Sequence, residues 1–291
     1  MAKENWGRWG PEDEAGTLNL ITPDKVTAAA GLVSVGRVLS LAQPLSSATP
    51  MARHRHGFAH FMDRDGGDYA AGGKRPGGFQ FAEDTIMMPV HTGTHIDALC
   101  HAWYDDRLYN EFSGDSIRST KGGQFCGIDK MPPLFTRGIL LDAVAQRGEV
   151  FPPGETITLN ILKAALSATG REIEPGDVVL IRTGWLESHI GRTGVSLDTE
   201  PGIDVEGAEW LAESGVAALG ADNFAIETIP FPAGAVFPVH QRLIRDYGMP
   251  LLEGLVLAPL AKAGAKSFLF SAAPIPIVGG TGSPLAPIAV L

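Results

Sequence analysis

Cysteine is nearly missing from this chain. Cys100 and Cys126 are the two present in 291 residues, and they fall in no metal-binding or disulfide spacing. That excludes a disulfide framework and a four-cysteine zinc site. Cys100 adjoins His101, yet it reads as a small buried apolar residue and not as a nucleophile. No apolar run approaches the roughly 20 residues that span a bilayer, and the residues up to Gly7 lack the apolar core of a secretory signal. A cytoplasmic protein with no membrane partner is expected. Positive charge is scarce as well: 23 Lys and Arg stand against 33 Asp and Glu, a formal net charge of −10. The basic residues form no stripe that could release counterions from phosphates, so nucleic acid is not an expected partner. Internal repeats and charge blocks are also missing.

What the chain does have is apolar content, 44% of its residues, enough to bury a full core. We read residues 1–291 as one domain of the α/β class, with loops enriched by 36 Gly and 21 Pro spread along its length. Thr22-Pro23 followed by residues 24–31 reads as a short helix: a cap residue, a proline at the first helical position and a closing glycine. Apolar, β-branched runs bounded by turn residues predict strands at 38–41, 138–142, 177–182 and 216–220. Helices fit at 158–168, stopped by Gly170, and at 205–214, capped by Asp204. The alternation is too irregular for a doubly wound sheet. Residues 50–84, rich in paired glycines, read either as a mobile flap near a site or as an ordinary surface loop.

The sharpest signal is the run His91-Thr92-Gly93-Thr94-His95-Ile96-Asp97, followed by His101: three of the chain's eight histidines fall within eleven positions. Imidazole and carboxylate suit zinc, manganese or iron, provided that three or four converge at about 2.0–2.2 Å from the ion. On a helix His91 and His95 would share a face, but Thr92, Gly93 and Thr94 are poor helix formers, and a bent strand or loop is the better fit. In extended chain, positions 91, 93, 95 and 97 point one way, with Gly93 leaving room for an ion and bending the backbone. Asp97 reads as a ligand or, alternatively, as a group that orients a histidine ligand. A divalent ion acidifies its water and polarises a carbonyl, so the chemistry indicated is hydrolysis, with His101 moving the proton.

This run resembles the His-x-Gly-Thr-His-x-Asp-x-x-x-His signature of the cyclase family, which includes kynurenine formamidases and isatin hydrolases. Asn5-Trp6-Gly7-Arg8-Trp9-Gly10, Gly16-Thr17-Leu18-Asn19, Pro175-Gly176-Asp177, Arg182-Thr183-Gly184-Trp185, Gly220-Ala221-Asp222 and Gly282-Ser283-Pro284 are similar to that family too. The resemblance implies a mixed β/β/α fold of the cyclase, swivelling-domain-like type. It also implies a metal on His91, His95 and Asp97, and a catalytic His101. Formamidases add a second zinc on a later His and Glu, the relation in which His240 and Glu253 stand. Isatin hydrolases hold one manganese with a glutamine among its ligands, and Gln241 adjoins His240. The implied cofactor is therefore Mn2+ or Zn2+, as one ion or two.

Trp6, Trp9, Phe58, Phe61 and Trp103 are candidates to wall the pocket, while Trp185 and Trp210 read as core. The expected substrate is a small aromatic amide or cyclic amide, similar to isatin or N-formylkynurenine, and the expected assembly a homo-oligomer, dimer or tetramer. The rivals are a lactone hydrolase or ring-closing cyclase on the same metal, and a binder without turnover, which would have no use for His101. Gly279-Gly280-Thr281-Gly282-Ser283 reads as a glycine turn, and Arg245, Asp246 and Tyr247 as the solvated face of a helix after Pro238.

Overall fold

A computed structural model describes residues 5–291 of the chain. Its centre is a nine-stranded mixed sheet: β1 Val38–Ser40, β2 His95–Asp97, β3 Leu134–Asp142, β4 Val178–Arg182, β5 Ala218–Ala221, β6 Leu251–Glu253, β7 Ser267–Ala272, β8 Gly282–Pro284 and β9 Ile288–Val290. Their spatial order is β1-β9-β7-β3-β4-β5-β6-β2-β8. The middle strands β3 to β6 run parallel, and both flanks are antiparallel. Val178-Val179-Leu180-Ile181 and Ala218-Leu219-Gly220-Ala221 are buried at every position, as parallel strands covered on both faces must be. The fold class is the mixed α/β one expected, and the sheet is indeed not doubly wound.

The helices form where the sequence signals place them. Helix α1, Pro23–Ala30, starts from Thr22, whose hydroxyl accepts from the Lys25 amide. Helix α2, Leu159–Thr169, ends at Gly170 in the left-handed conformation. Helix α3, Val205–Glu213, is capped by Asp204, which accepts from Gly207 at 2.8 Å. Residues 50–84, read as a mobile flap or a surface loop, contain regular structure. They hold most of an antiparallel ribbon, Ala59–Arg64 against Glu83–Met87, with a short helix Gly66–Ala70 between. Phe61, Met62, Ile86 and Met87 are exposed on it.

One expectation is reversed. Arg245, Asp246 and Tyr247 are buried, not solvated. The chain's opening folds back over them: Trp6 Nε1 donates to the Arg245 carbonyl at 2.8 Å. The Arg245 guanidinium lies between the Trp6 ring, 4.4 Å away, and the Tyr104 ring, 3.9 Å away. Asp246 accepts from Tyr104 and pairs with Arg242 and Arg245, so the charges are buried as partners and not singly. Trp185 is buried and Trp210 half-buried against the core, as read from the sequence.

No helix of the described residues is long and apolar enough to cross a membrane. At the sheet centre, Gly138 makes way for Phe268: a β-carbon on it would sit 2.3 Å from the Phe268 ring. Gly138→Ala is expected to cost about 1–3 kcal/mol through overpacking. In urea unfolding the midpoint should fall with the slope unchanged, and a parental midpoint would show that the ring can retreat.

Candidate active site

The site grows from the register of three short strands near one edge of the sheet. In β2, His95 and Asp97 are two apart and so point to the same face, while Ile96 points into the core. β6 pairs antiparallel with β2, setting Glu253 directly opposite His95. On the other side of β2, Gly282 stands opposite Asp97. A β-carbon there would meet His91 Cε1 at 2.6 Å, so the missing side chain is what lets the His91 ring lie over β8. Gly93 has φ +63°, and this left-handed residue turns the backbone between His91 and the strand, as its position suggested. His240 comes from the other direction, at the end of the short helix Pro238–His240, which continues into a widened π turn over Gln241–Asp246. Such turns recur at functional sites.

These elements bring His91, His95, Asp97, His101, His240 and Glu253 together. His91 Nδ1 lies 2.6 Å from Asp97 Oδ1. His95 Nε2 lies 3.1 Å from Glu253 Oε2 and 3.6 Å from Asp97 Oδ1. His240 Nε2 is 3.2 Å from Glu253 Oε1 and 3.6 Å from Asp97 Oδ2, and His101 Nε2 is 3.9 Å from Asp97 Oδ2. Two sets share Asp97, His91-Asp97-His101 and His95-Asp97-Glu253, each with its donor atoms within 4.8 Å of one another.

The outer nitrogens explain which inner atoms are free. His91 Nε2 meets the Thr281 hydroxyl at 3.0 Å, His95 Nδ1 meets the Gly93 carbonyl at 2.9 Å, and His240 Nδ1 meets Glu227 at 2.7 Å. Glu227 also accepts from the Val239 and His240 amides. With the outer nitrogen of each ring carrying the proton, the inner one presents a lone pair to the centre, as metal-ligating histidines do. His95 Nε2, Asp97 Oδ2 and Glu253 Oε1 are fully buried without a well-formed hydrogen bond. Orphaned groups of this kind are costly, and a divalent cation would satisfy all three. The mixed nitrogen and oxygen donors fit zinc or manganese.

Electrostatics holds the cluster in check. Burial works to raise the Asp97 carboxyl, but the His101, His91 and His240 rings around it hold it well below the usual range. Glu253 is likewise lowered, burial and the Asp97 charge being outweighed by the His240 and His95 rings that face it. His95 and His240 move the opposite way: burial lowers them, and their carboxylate partners raise them further. His101 differs. Burial, opposed by the Asp97 charge and joined by the His91 and His240 rings, brings it down to about 4. Its side chain is still 25% exposed, where those of the other five are nearly closed off. Cys100 is buried beside it, and loss of solvation pushes its thiol up to about 12, which rules out a thiolate nucleophile at neutral pH.

The other candidates from the sequence have these neighbours. Gln241 turns its amide to the Val236 carbonyl at the exposed side, engaged outside the cluster. Trp6 packs on Arg245, Trp9 lies against Arg8, and Phe61, 55% exposed, sits on the ribbon. Trp103 lies half-exposed against Gly114. Three residues escaped the sequence reading of the site. Thr281 sits in the stretch taken for a glycine turn, whose end is strand β8. Glu227, which meets His240 Nδ1, and Arg55, which donates to the His91 carbonyl at 2.8 Å, stand in no motif. For Thr281 a signal existed, since Gly282-Ser283-Pro284 beside it had been recognised as family-like.

Comparisons with known proteins agree with this geometry. The isatin hydrolase of Roseibium aggregatum is 27% identical over 220 residues, spanning 72% of this chain and 75% of that protein. The crystal structure of a novel cyclase is 38% identical, covers 99% of each chain and superposes with a TM-score of 0.93. Isatin hydrolase A from Ralstonia solanacearum is 25% identical, with a TM-score of 0.68 over 92% of this chain and 97% of that one. Residues 39–228 match the family described as putative cyclase, and by that match the chain belongs to the cyclase family.

Proposed function

We propose that this chain is a metal-dependent hydrolase that opens the C–N bond of an aromatic amide or cyclic amide at a Mn2+ or Zn2+ site built around Asp97. The observation that carries the reading is the convergence of His91 Nδ1, His95 Nε2, His240 Nε2, Asp97 and Glu253 on one buried centre, with the outer ring nitrogens already engaged. Likeness to isatin hydrolases supports the substrate class. A divalent ion held by these residues supplies Lewis acidity toward a carbonyl oxygen and brings the pKa of a water toward ~7.

The chain's own groups account for the rest. Thr281 and Glu227 fix the His91 and His240 rings, so that the donors keep their places before any ligand arrives. His101 is the imidazole that opens to solvent, and its ring is neutral at pH 7. It takes the proton from the attacking water and passes it to the departing nitrogen. The water oxygen joins the acyl carbon, the C–N bond breaks, and a carboxylic acid and an amine result. Trp103, two positions after His101, and the N-terminal Trp6 and Trp9 remain candidates to wall the substrate.

Protein supplemented with Mn2+ or Zn2+ should retain the ion through desalting, with elemental analysis giving its number, and should convert isatin or an N-formyl aromatic amine to the ring-opened or free product. Ring closure instead, or no turnover of either, overturns the hydrolytic reading. Asp97→Ala is expected to deplete the metal. His101→Asn should keep metal content and lower kcat by roughly 10²–10⁴; a loss of metal as full as that of Asp97→Ala would make His101 a ligand. Thr281→Val, which removes the partner of His91 Nε2, should weaken metal affinity about 10–100-fold. Parental affinity in that variant would deny the hydroxyl an orienting role.

A further inference from the structure

Arg55 lies outside the histidine run, in the turn Ala52–Arg55 that leads toward the ribbon, and its side chain reaches back to the cluster. Nη1 donates to the His91 carbonyl, and the guanidinium stacks 5.2 Å from the centroid of Phe224, a ring that stands 6.0 Å from His95. Its charge is half-buried, a loss of solvation that the carboxylates of Glu253 and Asp97 partly offset. A guanidinium has five N–H donors in a planar fork. Among the described residues its side chain makes one hydrogen bond, that to His91.

A divalent cation among the ligands balances Asp97 and Glu253, the two carboxylates that attract Arg55. The guanidinium then stands as surplus positive charge beside the reaction centre, with its fork largely unspent. Opening a ring amide creates a matching partner: once water's oxygen has joined the acyl carbon and nitrogen has taken a proton, the new acid ionises to a carboxylate. We infer that Arg55 is the anion-binding residue of this site, gripping the carboxylate of the ring-opened product in a two-point contact. The carboxylate's origin rests on the hydrolytic reading above; its binding does not. A charged, bidentate contact of this kind is roughly twice as strong as a neutral hydrogen bond.

The test is calorimetric titration of the Mn2+-loaded protein with benzoylformate, an α-keto aromatic carboxylate, and with benzamide, a neutral aromatic of similar size. Arg55→Gln keeps a donor for the His91 carbonyl and removes the charge. It should weaken benzoylformate by about tenfold or more, leaving benzamide affinity, Mn content and the thermal midpoint as in the parent. Arg55→Lys, with charge but no fork, should fall between. Unchanged benzoylformate affinity in Arg55→Gln overturns the inference. So does an equal loss for benzamide, which would make Arg55 a wall, or parallel loss of Mn, which would make it a counter-charge for the ligands. If Arg55→Gln does not fold, Arg55→Lys decides, and parental benzoylformate affinity there overturns the two-point grip. Failure to hydrolyse isatin, with Arg55-dependent benzoylformate binding intact, would remove the hydrolytic reading and leave the anion site standing.

Discussion

The structure around this site depends on one constraint, the complete burial of the Asp97 carboxylate. A carboxylate without solvent has to be surrounded by donors or by positive charge, and three imidazoles, those of His91, His95 and His240, lie within 3.6 Å of its oxygens. Everything else in the neighbourhood follows from placing those rings. β2 supplies His95 on the same face as Asp97, the left-handed Gly93 brings His91 back toward the same point, and β6 carries Glu253 in beside His95. The strands here are only three residues long, and β2 and β6 hold their one or two donors in register.

Small side chains and backbone carbonyls perform the orientation. Gly282 leaves the space the His91 ring occupies, and Thr281 next to it supplies the acceptor for that ring's far nitrogen. Thr94 is spent in the same way on the scaffold: its hydroxyl donates to the Gly254 carbonyl and accepts from the Gln43 amide. It thereby ties β2 to the segments on either side. On the far side of the site, the N-terminal residues clamp the helix that presents His240 by sandwiching Arg245 between Trp6 and Tyr104. Of the two tryptophans of the opening segment, Trp6 thus has a mechanical role.

What could be read in the sequence was what lies close along the chain. His91, His95, Asp97 and His101 are contiguous, and a bend at Gly93 suffices to gather them, so local rules found them. Caps at Thr22 and Asp204 and the stop at Gly170 set their helices because each is a local hydrogen bond or a local backbone angle. His240 and Glu253 were legible only through family resemblance, since β6 and β2 lie more than 150 residues apart and no local pattern states that they will pair. Thr281 and Arg55 act through single contacts 190 and 36 residues along the chain, and Glu227 through three to Val239 and His240, and none of these leaves a periodicity behind. The misread face at Arg245-Asp246-Tyr247 has the same origin: charge alone suggested solvent, and the partners that allow its burial, Tyr104 and Trp6, are more than 100 residues away.

The opposed shifts within the cluster say how the site balances its charge. His95 and His240 are raised while Asp97 and Glu253 are lowered, so a proton on these imidazoles is favoured by the carboxylates and the carboxylate charge by the imidazoles. A divalent ion needs the same lone pairs, so binding it displaces those protons. Proton and cation are then alternative occupants of one buried centre. His101 stands apart from this exchange. It is lowered where His95 and His240 are raised, and it opens to solvent where they are closed. In the proposed reaction that separation would let one imidazole change its protonation while the others keep theirs, which is what four neighbouring histidines need in order to hold a charge and move a proton at the same place.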